Sequence, residues 1–371
     1  MNNNDLTNER HHEIDALRVL VLLLLIPFHS LIGFSPFGKE LLVPQNDQLL
    51  DWSFIAMSLT VTWRIPILFV VSGMAVWFSL SRLSANQVLI HRLKRITGPL
   101  VLGWFVMGPF CIYTGSSFFT QLDQYQYEPI PLHYLWFLNN ILVYIISLTH
   151  VAAYVASNSG QVLRRRLAEG WRRGYIPLAA LCLFAIEGWA VDPDPYFLYF
   201  LGIHGWILGF LCFILGLCCA AGGSDFKYFI VRFRYMLLAL ASAFWVGNGI
   251  YFAANNFETM MPNVFFGMQC LVSMGAVLGL VTAHLNKATP FFRYARAAVF
   301  PVYILHYPIQ FILSYVLFPL AFPATFKLIL LITGILLLSV AIYDFVLRRV
   351  SVLDTLFGMA REKKVESGNE H

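Results

Sequence analysis

Apolar residues run in long blocks along this chain, and charged residues are gathered into the short stretches between them. A helix that crosses the hydrocarbon core of a bilayer needs about 20 mostly apolar residues. On that measure ten spans are predicted: 14–34, 52–80, 97–114, 134–155, 175–190, 197–221, 236–253, 263–284, 297–317 and 326–347. The second is long, so it must tilt, break or run past the bilayer, with Pro66 and Gly73 as break points. The first is expected to be retained. It is too long for a signal peptide, carries charges on its helical face and lacks a small-x-small cleavage site. No internal repeat is visible. The expected fold is an all-α polytopic membrane protein of about ten transmembrane helices. Residues 1–13 form an N-terminal tail, 14–348 a single transmembrane domain and 349–371 a C-terminal tail, charged and disordered from Arg361.

Charge placement orients these spans. With the N-terminus in the cytoplasm, inner segments hold Arg82, Arg92, Lys94, Arg95, Arg164, Arg172, Lys227, Arg232, Arg293, Arg296 and Arg348, among others. The opposite side keeps Lys39 and the border residue Lys327. That asymmetry predicts that both termini are cytoplasmic. Outer loops are short, and 115–133 carries acidic and aromatic residues without Lys or Arg.

Composition supports the membrane reading. The chain of 371 residues is 58% hydrophobic and 12% charged, where soluble domains carry about 25% charge. The net charge of +5 follows from the basic inner loops and is no sign of nucleic-acid binding. All six cysteines lie in apolar runs, which predicts small buried hydrophobes, with neither disulfides nor metal. No P-loop, GxSxG, HExxH or EF-hand pattern occurs.

Against this apolar background a few polar residues stand out. Arg18 and His29 lie eleven residues apart in the first span, close to a whole number of turns, so they share a face about 16 Å apart in depth. Asp15 joins that face three residues before Arg18. Ionisable groups within a span are expensive and point to function, with a satisfied packing pair as the competing reading. Arg64 lies about twelve residues into the second span and needs an anion, a carbonyl or a wet cavity. Glu187 or Asp344 would serve as a structural partner. Ser72-Gly73 offers either a ligand hydroxyl or close helix packing. Arg92 and Arg95 share a face and can grip one phosphate-rich ligand, or they are ordinary inner-side charge. His133, Trp136 and Asn139-Asn140 mark the outer part of the fourth span. Tyr303 and His306 mark the ninth, where a bridge between helices competes with a functional role. His204 and Glu187 are weaker candidates, and His11 and His12 read as a solvated tail.

Taken in order, these motifs resemble acyltransferase family 3. Glu13-Ile-Asp15-Ala-Leu-Arg18 with His29 resembles its first-helix signature, and Trp63-Arg64-Ile-Pro66 through Ser72-Gly73 its second-helix Ser-Gly motif. Arg92-x-x-Arg95 with Pro99, Leu135-Trp136-Phe137-Leu138 and Tyr303-Ile-Leu-His306 also have counterparts. Met74 departs from the aromatic that many members carry after Ser-Gly. The resemblance runs from about residue 10 to 348, and the Trp-Arg-x-Pro element is most similar to the branch containing glucan biosynthesis protein C.

The resemblance implies an integral protein of a bacterial inner membrane. It implies acetyl or succinyl transfer from cytoplasmic acyl-CoA, a co-substrate and no resident cofactor, to a hydroxyl of an extracytoplasmic carbohydrate or glucan. In that frame His29, Arg18 and Asp15 are the catalytic candidates. His29 would act as base or carry the acyl group, Arg18 would position the donor and Asp15 would fix Arg18. Arg64, Ser72, Arg92, Arg95, Trp136, Tyr303 and His306 are the substrate-binding candidates. Arg64 would stabilise an oxyanion or hold the far carboxylate of a dicarboxylic acyl group. The expected partners are acyl-CoA, the carbohydrate acceptor and membrane lipids, with no nucleic acid. A transporter of a small anion or acylated product is the alternative, since intramembrane Arg and His also line transport paths. The paired halves common in transporters are not visible.

Overall fold

The computed structural model describes residues 12–36, 38, 43–119, 135–194, 196, 199, 202–256, 258–287 and 289–359. Among them every regular element is a helix. The first five are α1 (His12–Ile32), α2 (Ser53–Leu80), α3 (Ala85–Leu102), α4 (Gly108–Phe119) and α5 (Trp136–Ala156). Then come α6 (Gln161–Arg173), α7 (Tyr175–Val191), α8 (His204–Ala254) and α9 (Asn263–His284). The series ends with α10 (Pro290–Leu317), α11 (Ala324–Ile342) and α12 (Leu353–Leu356). Seven of these are long and apolar enough to cross a membrane, or eight if the bent pair α6–α7 is one span. The protein is an all-helical, polytopic membrane protein.

Local sequence explains where the helices begin and turn. Ser84 caps α3 in a capping box, its hydroxyl accepting from the Gln87 amide while the Gln87 side chain accepts from the Ser84 amide. Thr289 caps α10 in front of Pro290, whose missing N–H costs nothing at a first helical position. Gly174, at φ 82°, ends α6 and turns the chain by 84° into α7. α3 runs through a π-helical turn, Gly103–Met107, into α4, so the predicted span 97–114 falls within one continuous helix.

The sixth and seventh predicted spans both fall in α8. A straight helix of 51 residues would be roughly 76 Å long, far more than a bilayer's thickness. It reverses at Gly223, whose φ of 53° and ψ of −123° suit glycine alone. Before the break, Gly216 lies against the Val70 carbonyl of α2. After it, Trp245 reaches back to the Ser58 hydroxyl near the start of α2, 3.0 Å away.

Packing between these helices relies on small residues, as expected where lipid removes most of the hydrophobic drive for helix association. A Cβ on Gly216 would sit 2.0 Å from the Val70 carbonyl oxygen, and one on Gly73 2.2 Å from that of Phe213. Gly73 therefore serves the close approach of α2 and α8. Lys327, a border residue by sequence, is buried and donates to the Phe318 carbonyl at the end of α10, 2.6 Å away, and to Asn46.

Past Leu347 the chain folds back. α12 packs on α3, where a Cβ on Gly98 would lie 1.9 Å from the Thr355 carbonyl oxygen. The charged tail expected from Arg361, residues 1–11, His133 and most of the loop 115–133 lie outside the described residues.

Candidate active site: an arginine-lined cavity and a histidine pair

Three helices each lay one stripe along a common space. On α1 the stripe is Arg18, Leu22 and Leu25; on α2 it is Ser72 and Leu68; on α10 it is Arg296, Phe300 and Tyr303. Residues three or four apart share a face, so each stripe follows from sequence spacing once the helices are placed. With α3, α5 and residues 354–359 they enclose a cavity of about 940 Å³. That is the upper end of the range for small-molecule sites, roughly 300–1,000 Å³.

One end of the cavity is strongly basic. Arg18, Arg92, Arg95, Arg293, Arg296 and Arg348 line it, against two lining carboxylates, Asp15 and Asp354. Asp15 is shared, 3.8 Å from Arg18 and 3.7 Å from Arg296, so it orients two guanidiniums. Arg92 is braced on α2 by the Ala75 carbonyl and the Ser79 hydroxyl, both at 3.0 Å. Arg95 donates from Nε to the Gly358 carbonyl at 3.1 Å and lies over the Phe300 ring. Arg348 pairs with Asp344 at 2.9 Å, and Asp344 also accepts from Tyr294. The excess of positive charge, on side chains held by carbonyls and hydroxyls, suits a ligand carrying several phosphates.

Further in, the wall becomes apolar through Leu22, Leu25, Leu68, Phe137 and Ile141. Ser72 lines this part, its hydroxyl donating to the Leu68 carbonyl at 2.7 Å, which leaves its oxygen able to accept. Trp136 stands one residue off the wall, packed on Phe69, while Phe137 forms the wall itself. Asn140 is buried and donates to the Gly205 carbonyl at 3.4 Å.

The three stripes continue one turn past the cavity, to His29, Arg64 and His306. His29 Nδ1 lies 3.1 Å from His306 Nε2, a contact across 277 residues of sequence. His306 Nδ1 donates to the Tyr303 carbonyl. Tyr307 meets the His29 ring edge-on, with centroids 5.3 Å apart. Near the end of α1 the Gly33 amide bonds to Ser30, which leaves the His29 carbonyl for Gln310 Nε2 at 2.8 Å. The backbone at His29 is thus tied to α10 as well as its ring.

Arg64 is 1% exposed and lies over the Phe28 ring, 3.6 Å from its centroid, next to Pro27 inside α1. Among the described residues its hydrogen bond is to the Leu24 carbonyl at 3.4 Å, and its Nε has no partner there. Neither carboxylate expected as its partner is there. Glu187 bonds to His204 and Asp344 to Arg348. Among the described residues no carboxylate lies within 4 Å of it. An uncompensated buried guanidinium of this kind attracts a ligand anion.

The structure therefore brings together Asp15, Arg18, Arg92 and Arg95 at one end, Ser72 and Tyr303 along the wall, and His29, His306 and Arg64 beyond it. Sequence reasoning missed Arg293, Arg296, Arg348 and the segment carrying Asp354 and Gly358. Arg293 and Arg296 repeat the three-residue spacing of Arg92 and Arg95, a signal that inner-side charge concealed.

Comparison with known proteins identifies a family. Residues 11–344 match the model of acyltransferase family 3, described as an acyltransferase domain. No curated protein and no solved structure matches the chain. The match spans most of the chain, so this protein belongs to acyltransferase family 3 and is a membrane acyltransferase.

Proposed function

We propose that the protein transfers an acetyl or succinyl group from cytoplasmic acyl-CoA to a hydroxyl of a carbohydrate, of glucan type, on the other side of a bacterial inner membrane. The observation that carries this reading is one continuous cavity that starts among six arginines and stops one turn short of two histidines. Coenzyme A has phosphates at one end and a thioester at the other. Its phosphates suit the guanidiniums of Arg92, Arg95, Arg293 and Arg296, and the apolar wall suits the arm between. Arg18, held by Asp15, positions the donor where the basic end meets that wall.

His29 is the base. Its imidazole takes the proton of the acceptor hydroxyl as that oxygen attacks the thioester carbon. The carbon–sulfur bond then breaks, and the departing sulfur receives the proton from the imidazolium. An ester and free coenzyme A result, and His29 returns to its neutral form. Arg64 supplies positive charge beside this step, for the oxyanion or for the far carboxylate of a succinyl group. The Trp63-Arg64-x-Pro66 element supports the glucan branch and, with it, the dicarboxylic donor.

The test uses purified full-length protein in lipid nanodiscs with acetyl-CoA or succinyl-CoA and a β-glucan acceptor. Acceptor-dependent release of coenzyme A thiol and an acylated glucan by mass spectrometry are expected. Absence of both, together with no binding of coenzyme A, overturns the reading.

A further inference from the structure

We propose that His306 is a positioning residue that fixes the tautomer of His29, holding the proton on Nδ1 and the basic lone pair on Nε2. This rests on the reading of His29 as the base. The inference begins at the Tyr303 carbonyl, which can only accept, so the bond from His306 Nδ1 to it requires a proton on that nitrogen. A neutral imidazole carries one N–H, and Nε2 of His306 is then an acceptor. That nitrogen lies 3.1 Å from His29 Nδ1, so His29 donates there and keeps its lone pair on Nε2.

His306 acts through His29 and not on substrate. It is 0% exposed and does not line the cavity, although Tyr303, one turn before it, does. The groups facing the pair are Arg64 from α2 and Tyr303 and Tyr307 from α10. An imidazolium at His306 would add a second buried cation near Arg64. A carboxylate orienting the base would itself have to be desolvated at membrane depth. A neutral ring does the same orienting without a charge. When His29 takes the acceptor proton on Nε2, its Nδ1–H stays bonded to His306, so the ring does not turn between the two proton transfers.

The test joins spectroscopy to kinetics, on full-length protein in nanodiscs. ¹⁵N NMR of histidine-labelled protein, with His29 assigned by its loss in His29→Gln, reads the tautomer directly. In the wild type at neutral pH the proton should be on Nδ1, the form that imidazole disfavours in water. In His306→Leu, which removes the acceptor, His29 should shift towards the Nε2–H form. Its kcat should fall about 10²-fold with the donor KM unchanged, as when a base loses its orienter. His306→Gln offers an amide oxygen in place of Nε2 and should recover most of that loss. A proton on Nε2 of His29 in the wild type overturns the inference, as does equal activity of the Leu and Gln variants. If the wild type transfers no acyl group, the base reading falls, and the tautomer still decides the relation between the rings.

Discussion

Two histidine centres lie within the helix bundle, and their surroundings differ in an instructive way. His204 is buried with both nitrogens committed. Nδ1 lies 2.6 Å from Glu187 Oε1, and Nε2 donates to the Tyr196 carbonyl at 2.9 Å. Tyr196 and Tyr199 cover its faces, with centroids 4.6 and 5.5 Å away. His29 is only partly buried, meets another imidazole through Nδ1 and lies one turn past a cavity lined with arginines. The first centre ties α7 to α8 and has no ring nitrogen left over for chemistry. The second joins α1 to α10 through two imidazoles and lies at the end of an approach route. Burial of an imidazole alone does not separate a structural centre from a candidate catalytic one; the kind of partner it meets and its distance from a cavity do.

This contrast can be broken or sharpened by experiment. The largest stability effect is expected at the structural centre. Glu187→Ala leaves His204 without its ionic partner and should cost about 3–5 kcal/mol of stability, read as a lower Tm in detergent. Transfer per folded molecule should be unchanged. Replacing Glu187 and His204 together by apolar residues of similar volume should recover most of the Tm. A lower turnover at unchanged Tm would make His204 part of the chemistry and remove the contrast.

At the cavity the expected effect moves from stability to affinity. Arg92→Gln with Arg95→Gln should weaken binding of coenzyme A about 10²–10⁴-fold, the sum of two charge-assisted contacts, with little change in Tm. Unchanged affinity would reduce the pair to topogenic charge. Arg293→Gln with Arg296→Gln should weaken binding less, by about 10-fold, because Arg296 shares Asp15 with Arg18. The smallest perturbation asks only which way the cavity opens. With the exposed Cys182 removed, a cysteine at Asp47 should react with an impermeant label from outside the cell, and one at Arg165 should not. The reverse pattern would turn the basic end outward, away from cytoplasmic acyl-CoA.

Much of this was legible in the sequence, for a physical reason. Hydropathy marks spans because each must satisfy its own backbone in lipid, and periodicity then places Asp15, Arg18 and His29 on one face of α1. Arg92 and Arg95 could be read the same way, since their relation is local. Relations between distant helices could not. Nothing in the sequence pairs His29 with His306, and Glu187 and Asp344 were reasonable partners for Arg64 until each was found with a neighbour of its own. Arg293, Arg296 and Arg348 look like ordinary inner-side charge until folding turns them towards one cavity. Gly358 holds Arg95 through a single carbonyl, a contact that composition does not foretell.

The central claim, that His29 removes the proton of the acceptor hydroxyl, is tested most directly by single-turnover acyl transfer in His29→Ala, with affinity for coenzyme A measured on the same preparation. Loss of a general base removes about 10²–10⁴-fold in rate. The expected result is a fall of that size with unchanged coenzyme A affinity and intact insertion. Near-normal transfer by a folded His29→Ala protein that binds the donor would contradict the account and move attention to His306 as the base.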